Sequence, residues 1–504
     1  MTTEKTSSPR RSGADWFGLI AFAVLVICSA VLVVRLISTK FLPTGQLLLA
    51  VGALLVLSGL HGWVQLPHRE KTGGKIACGI VALVLAAAML YGAVALGSVQ
   101  HAITDVADKS VVTDITCVIV NADDPAQSLD DVKGYRFGIL EDRDTENTQS
   151  LLQQLQEKLG AAEHTAYASP ALLTDALYDD QVGAILLNKG YIPLLEEQEG
   201  YADFSDRTRI LYEYTTTKTV EPAPADTNAQ VDVTKDPFVV YCSGIDARSS
   251  NINITSRSDV NILAVVNPTT RQILLVNTPR DYYLPLAHNG QLDKLTHAGI
   301  YGTGESMQTL DNLYGTHTSF YMRVNFAGLT KIVDALGGVE YEVPFDMDYD
   351  DPYQNLFIHF KQGQQHLNGQ QAMEVARFRK NNDGTGYTDV GRTQTQQKLL
   401  IALAKKVLAW NSLSKINGFV EIFNKYVTTN MELSEMMYFA SQAVYLDTST
   451  GVETDTLQGN GDASWRGFTY CYELDPETTL DTVNRLLNPY EQDLKLTDMN
   501  LGKS

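Results

Sequence analysis

The stretch SDVNILAVVNPTTRQILLVNTPRDYYLPL, residues 258–286, decides the fold. Two runs of β-branched and aliphatic residues flank the turn sequence NPTT, which reads as two strands joined by a short connection. The second run delivers Pro279, Arg280 and Asp281 to its end. Upstream, PFVVYCSGID (237–246) reads as another strand, ending in a turn and Asp246. Downstream, NFAGLTKIVDALGG (325–338) has the spacing of an amphipathic helix closed by Gly337 and Gly338, and VEYEVP follows as a strand. This alternation predicts a layered α/β domain with a central mixed sheet flanked by helices. Its polar residues collect at strand ends, where such sheets place their ligands.

Working outward, residues 215–236 (TTTKTVEPAPADTNAQVDVTKD) are rich in Thr, Pro, Ala and Asp and read as a linker. Before it, residues 101–214 hold strand-like ITCVIV (115–120) and VGAILLN (182–188) and the amphipathic helix TQSLLQQLQEKLG (148–160), a small α/β accessory domain with no catalytic constellation. Residues 1–100 contain three long apolar spans, about 16–37 (uncharged from Trp16 to Val34), 42–66 (with one His) and 76–99, each near the 20 or so residues that cross a bilayer as a helix. Lys5, Arg10 and Arg11 precede the first run, and Arg69, Lys71 and Lys75 lie between the second and third. Only Arg35 and Lys40 border the first loop, so the tail and second loop are expected in the cytoplasm. Everything from about residue 101 is then expected outside the cytoplasmic membrane, as the large part of a multi-pass protein.

The formal charge of -20 argues against nucleic-acid binding, which needs a broad cationic footprint. Cys28 and Cys78 fall in the apolar runs, and Cys117, Cys242 and Cys471 have neither metal spacing nor an even count, so they read as buried thiols. The domain after the linker is expected to span 237–490, completed by SEMMYFASQAVYL and the helix-like PETTLDTVNRLLNPY; residues 491–504 are a tail.

Against this acidic background VARFRKNNDGTGYTDVGRTQTQQ (375–397) stands out. Arg377 and Arg379 share one face if 375–379 is extended and diverge by roughly 200° if it is helical. With Asp246, Arg248, Arg257, Asp259, Arg280, Asp281, Asp389 and Arg392, they form a set beside strand and loop boundaries. Arginine forks give paired, charge-assisted hydrogen bonds to phosphate. Mg²⁺ takes one or two carboxylates and shares phosphate oxygens. The set fits a pyrophosphate with a divalent ion, although each residue alone would more often be a surface ion pair.

GIDARSS, SRSDVNILAVVNPTTRQILLVNTPRD, FYMRVNFAGLTKIVDALGGVEYEV, GQQHLNGQQAMEVARFR and TDVGRTQTQQKLL resemble, in order and spacing, the LytR-CpsA-Psr family over about 237–410, with a looser tail to about 488. Three spans followed by an accessory module are most similar to the capsule-associated CpsA branch. The resemblance implies a phosphotransferase that moves a glycopolymer (capsular polysaccharide, teichoic acid or similar) from undecaprenyl pyrophosphate to a peptidoglycan hydroxyl. By motif, Asp246 and Asp259 would bind Mg²⁺ or Mn²⁺, and Arg257, Arg280, Arg377, Arg379, Arg392 and Gln396 would hold the pyrophosphate. The catalytic set would be Arg257, Arg280, Asp281 and Asp389. Membrane lipid and a polysaccharide synthesis and export complex are the further partners it implies. One position departs: the family has another Arg before the Gln pair, and here stands Thr395. The lipid would need an apolar tunnel, for which residues 326–336, 260–266 and 272–277 are candidates. A lipid-carrier-binding regulator without turnover and a pyrophosphate hydrolase are the alternatives.

Overall fold

The computed structural model describes residues 12–38, 44–65, 72–107, 111–219 apart from 142, 143, 197 and 199, and 231–245 and 252. It continues with 256–387 apart from 271 and 353–355, then 389–408, 416–431, 435–436, 452–456, 459–460, 471–486, 495 and 497. They divide into two compact units, one holding the chain through Asp105 with short later segments, the other beginning at Val106.

The first unit contains α1 (Gly13–Ser38), α2 (Thr44–Val64) and α3 (Thr72–Ala107). All three are long and apolar enough to cross a membrane. Ala21, Leu25 and Cys28 of α1 pack on Ala82 and Ala86 of α3, the small-residue contact by which helices approach closely in lipid. Large apolar side chains such as Ile27, Leu49 and Val84 stay exposed, as a helix surrounded by hydrocarbon requires. Lys75 Nζ lies 2.7 Å from Asp15, and Gln65 donates to the Lys75 carbonyl. A buried cation at a helix start is thereby paired.

The second unit holds two sheets. The first combines β1 (Val111–Asn121), β2 (Phe137–Leu140), β3 (His164–Tyr167), β4 (Ala184–Asn188) and β5 (Thr208–Thr219) in the order β3-β2-β4-β1-β5. Helices α4 (Thr145–Leu159) and α5 (Pro170–Tyr178) cover it, followed by the short α6 (Ile192–Glu196) and α7 (Phe204–Arg207). Gly160 ends α4 with φ 85°, a left-handed conformation that a side chain would oppose. β5 stays paired with β1 as far as Thr219, so residues 215–219 are strand rather than linker. Their run of threonines suits an edge strand with a wet face, and it was this polarity that suggested a linker. Residues 220–230 lie outside the described residues.

The larger sheet has six strands in the order β16-β11-β6-β7-β8-β17: β6 (Phe238–Ile245), β7 (Ser258–Asn267), β8 (Gln272–Asn277), β11 (Thr318–Asn325), β16 (Val427–Thr429) and β17 (Val452–Thr456). β6, β7 and β8 run antiparallel in sequence, while β11 pairs parallel with β6 and β17 with β8, so the sheet is mixed. On one face Val239, Tyr241, Leu263, Val265, Leu274 and Val276 form a core with residues of β9 (Tyr283–Pro285), α8 (Leu295–Ala298) and α9 (Thr303–Tyr314); β9 pairs with β10 (Leu292–Lys294). The opposite face meets α10 (Phe326–Ala335), α11 (Gly369–Arg377) and α12 (Asp389–Leu408). Beyond them lie two hairpin-like pairs, β12 (Val339–Val343) with β15 (Gly363–Leu367) and β13 (Met347–Asp351) with β14 (Leu356–Phe360). A final helix, Pro476–Leu486, starts at the proline that signalled it. Of SEMMYFASQAVYL only residues 435–436 are described, and of the tail only 495 and 497.

Candidate functional site

The site forms at the start of β7 and just beyond the end of β8. Tyr282 donates its amide to the Pro279 carbonyl, closing a turn with Arg280 and Asp281 at its tip. From there Arg280 reaches Asp259 Oδ1 at 2.7 Å through Nη1, a pair nearly closed to solvent. Asp281 is held on both oxygens: Arg280 Nε stands 3.5 Å from Oδ2 and Lys294 Nζ 3.5 Å from Oδ1. Thr296 donates to Asp259 Oδ1 at 3.4 Å, and its amide donates to the Arg280 carbonyl. The result is a chain of alternating charge, Lys294, Asp281, Arg280, Asp259.

Two further arginines act on the same carboxylate. Burial pushes the Asp259 carboxyl up, but Arg280, Arg257 and Arg392 together outweigh it and hold the group below the ordinary carboxylate value of 3.8. Arg392 is buried on α12, which is pinned to the sheet by Asn277 donating to the Thr393 carbonyl and Gln397 donating to the Leu275 carbonyl.

Beside this charged end lies an apolar cavity of about 120 Å³. Cys242, Gly244, Val260, Ile262, Met322 and Val324 floor it from the sheet; Phe326, Leu329, Leu399, Leu400 and Leu403 roof it from α10 and α12. Of the segments expected to line a tunnel, 260–266 and 326–336 contribute, whereas 272–277 does not. The Cys242 thiol is pushed up to about 12 by burial. Gly244 is required where it stands, since a Cβ there would lie 2.7 Å from Val260 Cγ2. Gln396, also lining the cavity, donates to the Ala376 carbonyl, and the guanidinium of Arg377 stands 5.6 Å from the Phe326 ring centre. Arg377 is the last residue of α11 and Phe378 is already extended.

The α12 face sums this up. Arg392, Gln396, Leu399, Leu400 and Leu403 follow the helical spacing, so one stripe runs from a cation near Asp259 through an amide to the apolar cavity.

The structure thus brings together Arg257, Asp259, Arg280, Asp281 and Arg392, and places Arg377 and Gln396 by the cavity. Arg379 is exposed. Asp389 opens α12; Asp246 and Arg248 lie outside the described residues. Thr395 is buried and donates to the Gly391 carbonyl one helical turn back. Lys294 and Thr296 are site residues that the sequence reading passed over. Lys294 follows Leu292 and precedes Leu295 in LDKLTHAG, and a lysine in such a run, only 2% exposed in the fold, was the available signal. Among the described residues no group of three or more His, Cys, Asp or Glu could hold a metal by itself. Asp259 keeps Oδ2 clear of any hydrogen bond among the described residues, so a carboxylate oxygen is left that suits an ion completed by phosphate and water.

Residues 208–487 match the model of the LytR_cpsA_psr family. The polyisoprenyl-teichoic acid–peptidoglycan teichoic acid transferase TagV of Bacillus subtilis is 30% identical over 268 residues, covering 52% of this chain and 67% of TagV. The corresponding transferase TagU of Enterococcus faecalis is 32% identical over 249 residues, 48% of this chain and 78% of TagU. The crystal structure of B. subtilis TagV aligns at 26% identity with a TM-score of 0.44, covering 51% of this chain and 98% of that one. With more than half of its length matched by the family model, this chain belongs to the LytR_cpsA_psr family.

Proposed function

We propose that this protein transfers a glycopolymer from undecaprenyl pyrophosphate to a peptidoglycan hydroxyl, forming a phosphodiester at the outer face of the cytoplasmic membrane. The observation that carries the reading is the α12 stripe, charged at Arg392 and apolar from Leu399 to Leu403. A polyprenyl pyrophosphate has that same polarity, an anionic head joined to a hydrocarbon chain. The transferase names of the TagV and TagU relatives support the reaction class, and three apolar helices supply an anchor beside the lipid substrate.

The acceptor oxygen attacks the phosphorus joined to the polymer, the bridging P–O bond breaks, and undecaprenyl phosphate leaves. Such a transfer asks mainly for positioning and for charge stabilisation on the phosphoryl oxygens. Arg257, Arg280 and Arg392 supply cations at the head, and Arg377 with Gln396 stands where head gives way to chain. Asp259 with Asp246 would hold Mg²⁺ or Mn²⁺, which neutralises phosphoryl oxygens when bound. Because Asp281 is ion-paired to Arg280 and Lys294, it serves to position Arg280; the acceptor's proton is assigned to Asp389. Capsular polysaccharide or teichoic acid suits the site equally, since recognition rests on the pyrophosphate.

The test incubates the full chain in detergent with undecaprenyl-pyrophosphate-linked oligosaccharide, peptidoglycan fragments and Mg²⁺. Covalent sugar–phosphate–peptidoglycan product is the expected result, lost in Arg280→Ala and Arg377→Ala. Free sugar phosphate, or bound lipid without product, would replace this reading with hydrolysis or simple carriage.

A further inference from the structure

We propose that the accessory domain holds the transfer site in its working geometry through residues 294–301, with Ile300 as its anchor. The inference rests on the transfer-site reading of residues 257–259 and 280–281.

The segment touches the site repeatedly. Lys294 pairs with Asp281, the Leu295 and Thr296 amides donate to the carbonyls of Tyr282 and Arg280, and Thr296 donates to Asp259. Gly299 then lies directly against the backbone before Asp259. A Cβ at Gly299 would stand 2.5 Å from the Ser258 nitrogen, 2.9 Å from the Ser256 oxygen and 3.1 Å from the Arg257 carbonyl carbon. No side chain fits there, so the turn is pressed onto the residues that carry Arg257 and Asp259.

The next two residues leave in different company. Ile300 is buried within the accessory domain's core, the cluster that includes Leu140, Leu173, Leu177, Leu195 and Phe204. Tyr301 packs on the core of the larger sheet, its ring 4.1 Å from that of His288. A single turn of 3₁₀ helix, Gly299–Tyr301, is therefore clamped between two cores. Withdrawing Ile300 means rotating this turn, and rotation lifts Gly299 from 256–258. Misplacement of a catalytic group by about 1 Å costs on the order of 100-fold in rate, so a loosened turn has a measurable effect. Ile300 is a positioning residue and touches no substrate.

The experiment compares the full-length protein with Ile300→Ala and Ile300→Val in detergent, by amide hydrogen exchange and by polymer transfer at saturating donor. Ile300→Ala should accelerate exchange at 258–260, Leu295 and Thr296 by at least tenfold, leave β1 and β4 protected, and lower kcat at least tenfold with little change in KM; Ile300→Val should keep wild-type behaviour. Unchanged exchange at 258–260 or unchanged kcat in Ile300→Ala overturns the proposal. So does loss of protection throughout β1 and β4, which would make Ile300 merely part of the accessory core. If the wild-type chain transfers nothing, the functional reading fails, while the exchange data still judge the coupling.

Discussion

Replacing Arg280 by Ala tests the centre of the charge network. The side chain pairs with Asp259 at 2.7 Å, and the two are only 10% and 13% exposed. Removing one partner of a buried pair costs about 3–5 kcal/mol when nothing replaces it. Here Arg257 and Arg392 still act on Asp259, so the expected loss falls below that range, about 2–3 kcal/mol. In a unit of this size that lowers the midpoint of thermal unfolding by roughly 3–6 °C. The pH dependence gives a sharper signature. In the wild type the folded carboxyl lies below its ordinary 3.8; its stabilising contribution is complete above 3.8 and is lost as pH falls through the lower folded value. In Arg280→Ala, burial meets weaker opposition and the folded value should rise above 3.8. The variant then binds a proton on folding, so its deficit should shrink as pH is lowered from 7 towards 4. Paired scanning-fluorimetry melts at pH 7, 5.5 and 4.5 measure this, with Asp259→Asn and the double variant completing a mutant cycle. A deficit that is constant with pH, or a cycle with no coupling, would refute the assignment of Asp259 and Arg280 as a coupled pair.

Filling the cavity should act on lipid and spare the charged end: Leu329→Trp is expected to raise KM for a polyprenyl donor at least tenfold while short-chain analogues lose little, measured by transfer rates. Cys242 should resist water-soluble alkylating reagents at neutral pH, because burial pushes its thiol up to about 12, and added undecaprenyl phosphate should protect it further from an apolar maleimide; mass spectrometry reads both. In the first unit, Lys75→Met should destabilise the three-helix bundle by leaving Asp15 unpaired, and Lys75→Met with Asp15→Asn should recover, as judged by melting in detergent. His359 contacts Asp348 at 2.7 Å and Asp350 at 3.2 Å, which raises its folded value above 6.5. That contribution is present below pH 6.5 and is lost as pH rises through the folded value, so His359→Asn should weaken protection of the β13–β14 pair at pH 6 and not at pH 9 in hydrogen exchange.

How much of this was legible before the fold depended on whether the signal was local. NPTT between two aliphatic runs led to β7 and β8, and the glycines at 160, 337 and 338 marked helix ends, because turn and cap chemistry acts within a few residues. Arg280 and Asp259 were identifiable as charges at strand ends, yet their pairing depends on register: Ile262 lies opposite Asn277, which sets the first residues of β7 beside the turn that carries Arg280. Lys294 was hidden because the lysine of LDKL has Asp293 beside it and says nothing until its partner, Asp281, is brought across a turn. The end of α11 at Arg377 was likewise undecidable, since the residues there suit both helix and extension. Strand β5 was misjudged for its polarity, which an edge position explains.

The alternation of the central strands accounts for how one site joins a charged end to an apolar cavity. Along β6, β7 and β11, Cys242, Gly244, Val260, Ile262, Met322 and Val324 face the cavity, whereas Val239, Tyr241, Leu263, Val265 and Tyr321 belong to the opposite core. Asp259 precedes cavity-lining Val260 by one residue, so its side chain leaves the sheet on the other face. A carboxylate behind the sheet reaches a helix in front of it only where the sheet stops, and β7 begins at Ser258. There Arg280 comes round from the end of β8 and Arg392 from the first turn of α12, and both bear on Asp259. Had the carboxylate stood two residues further along β7, at Asn261, the sheet would lie between it and Arg392. Asn261 instead accepts from Tyr241 within the core. The strand end is thus the place, among the described residues of this sheet, where charge from both faces meets the apolar cavity on one of them.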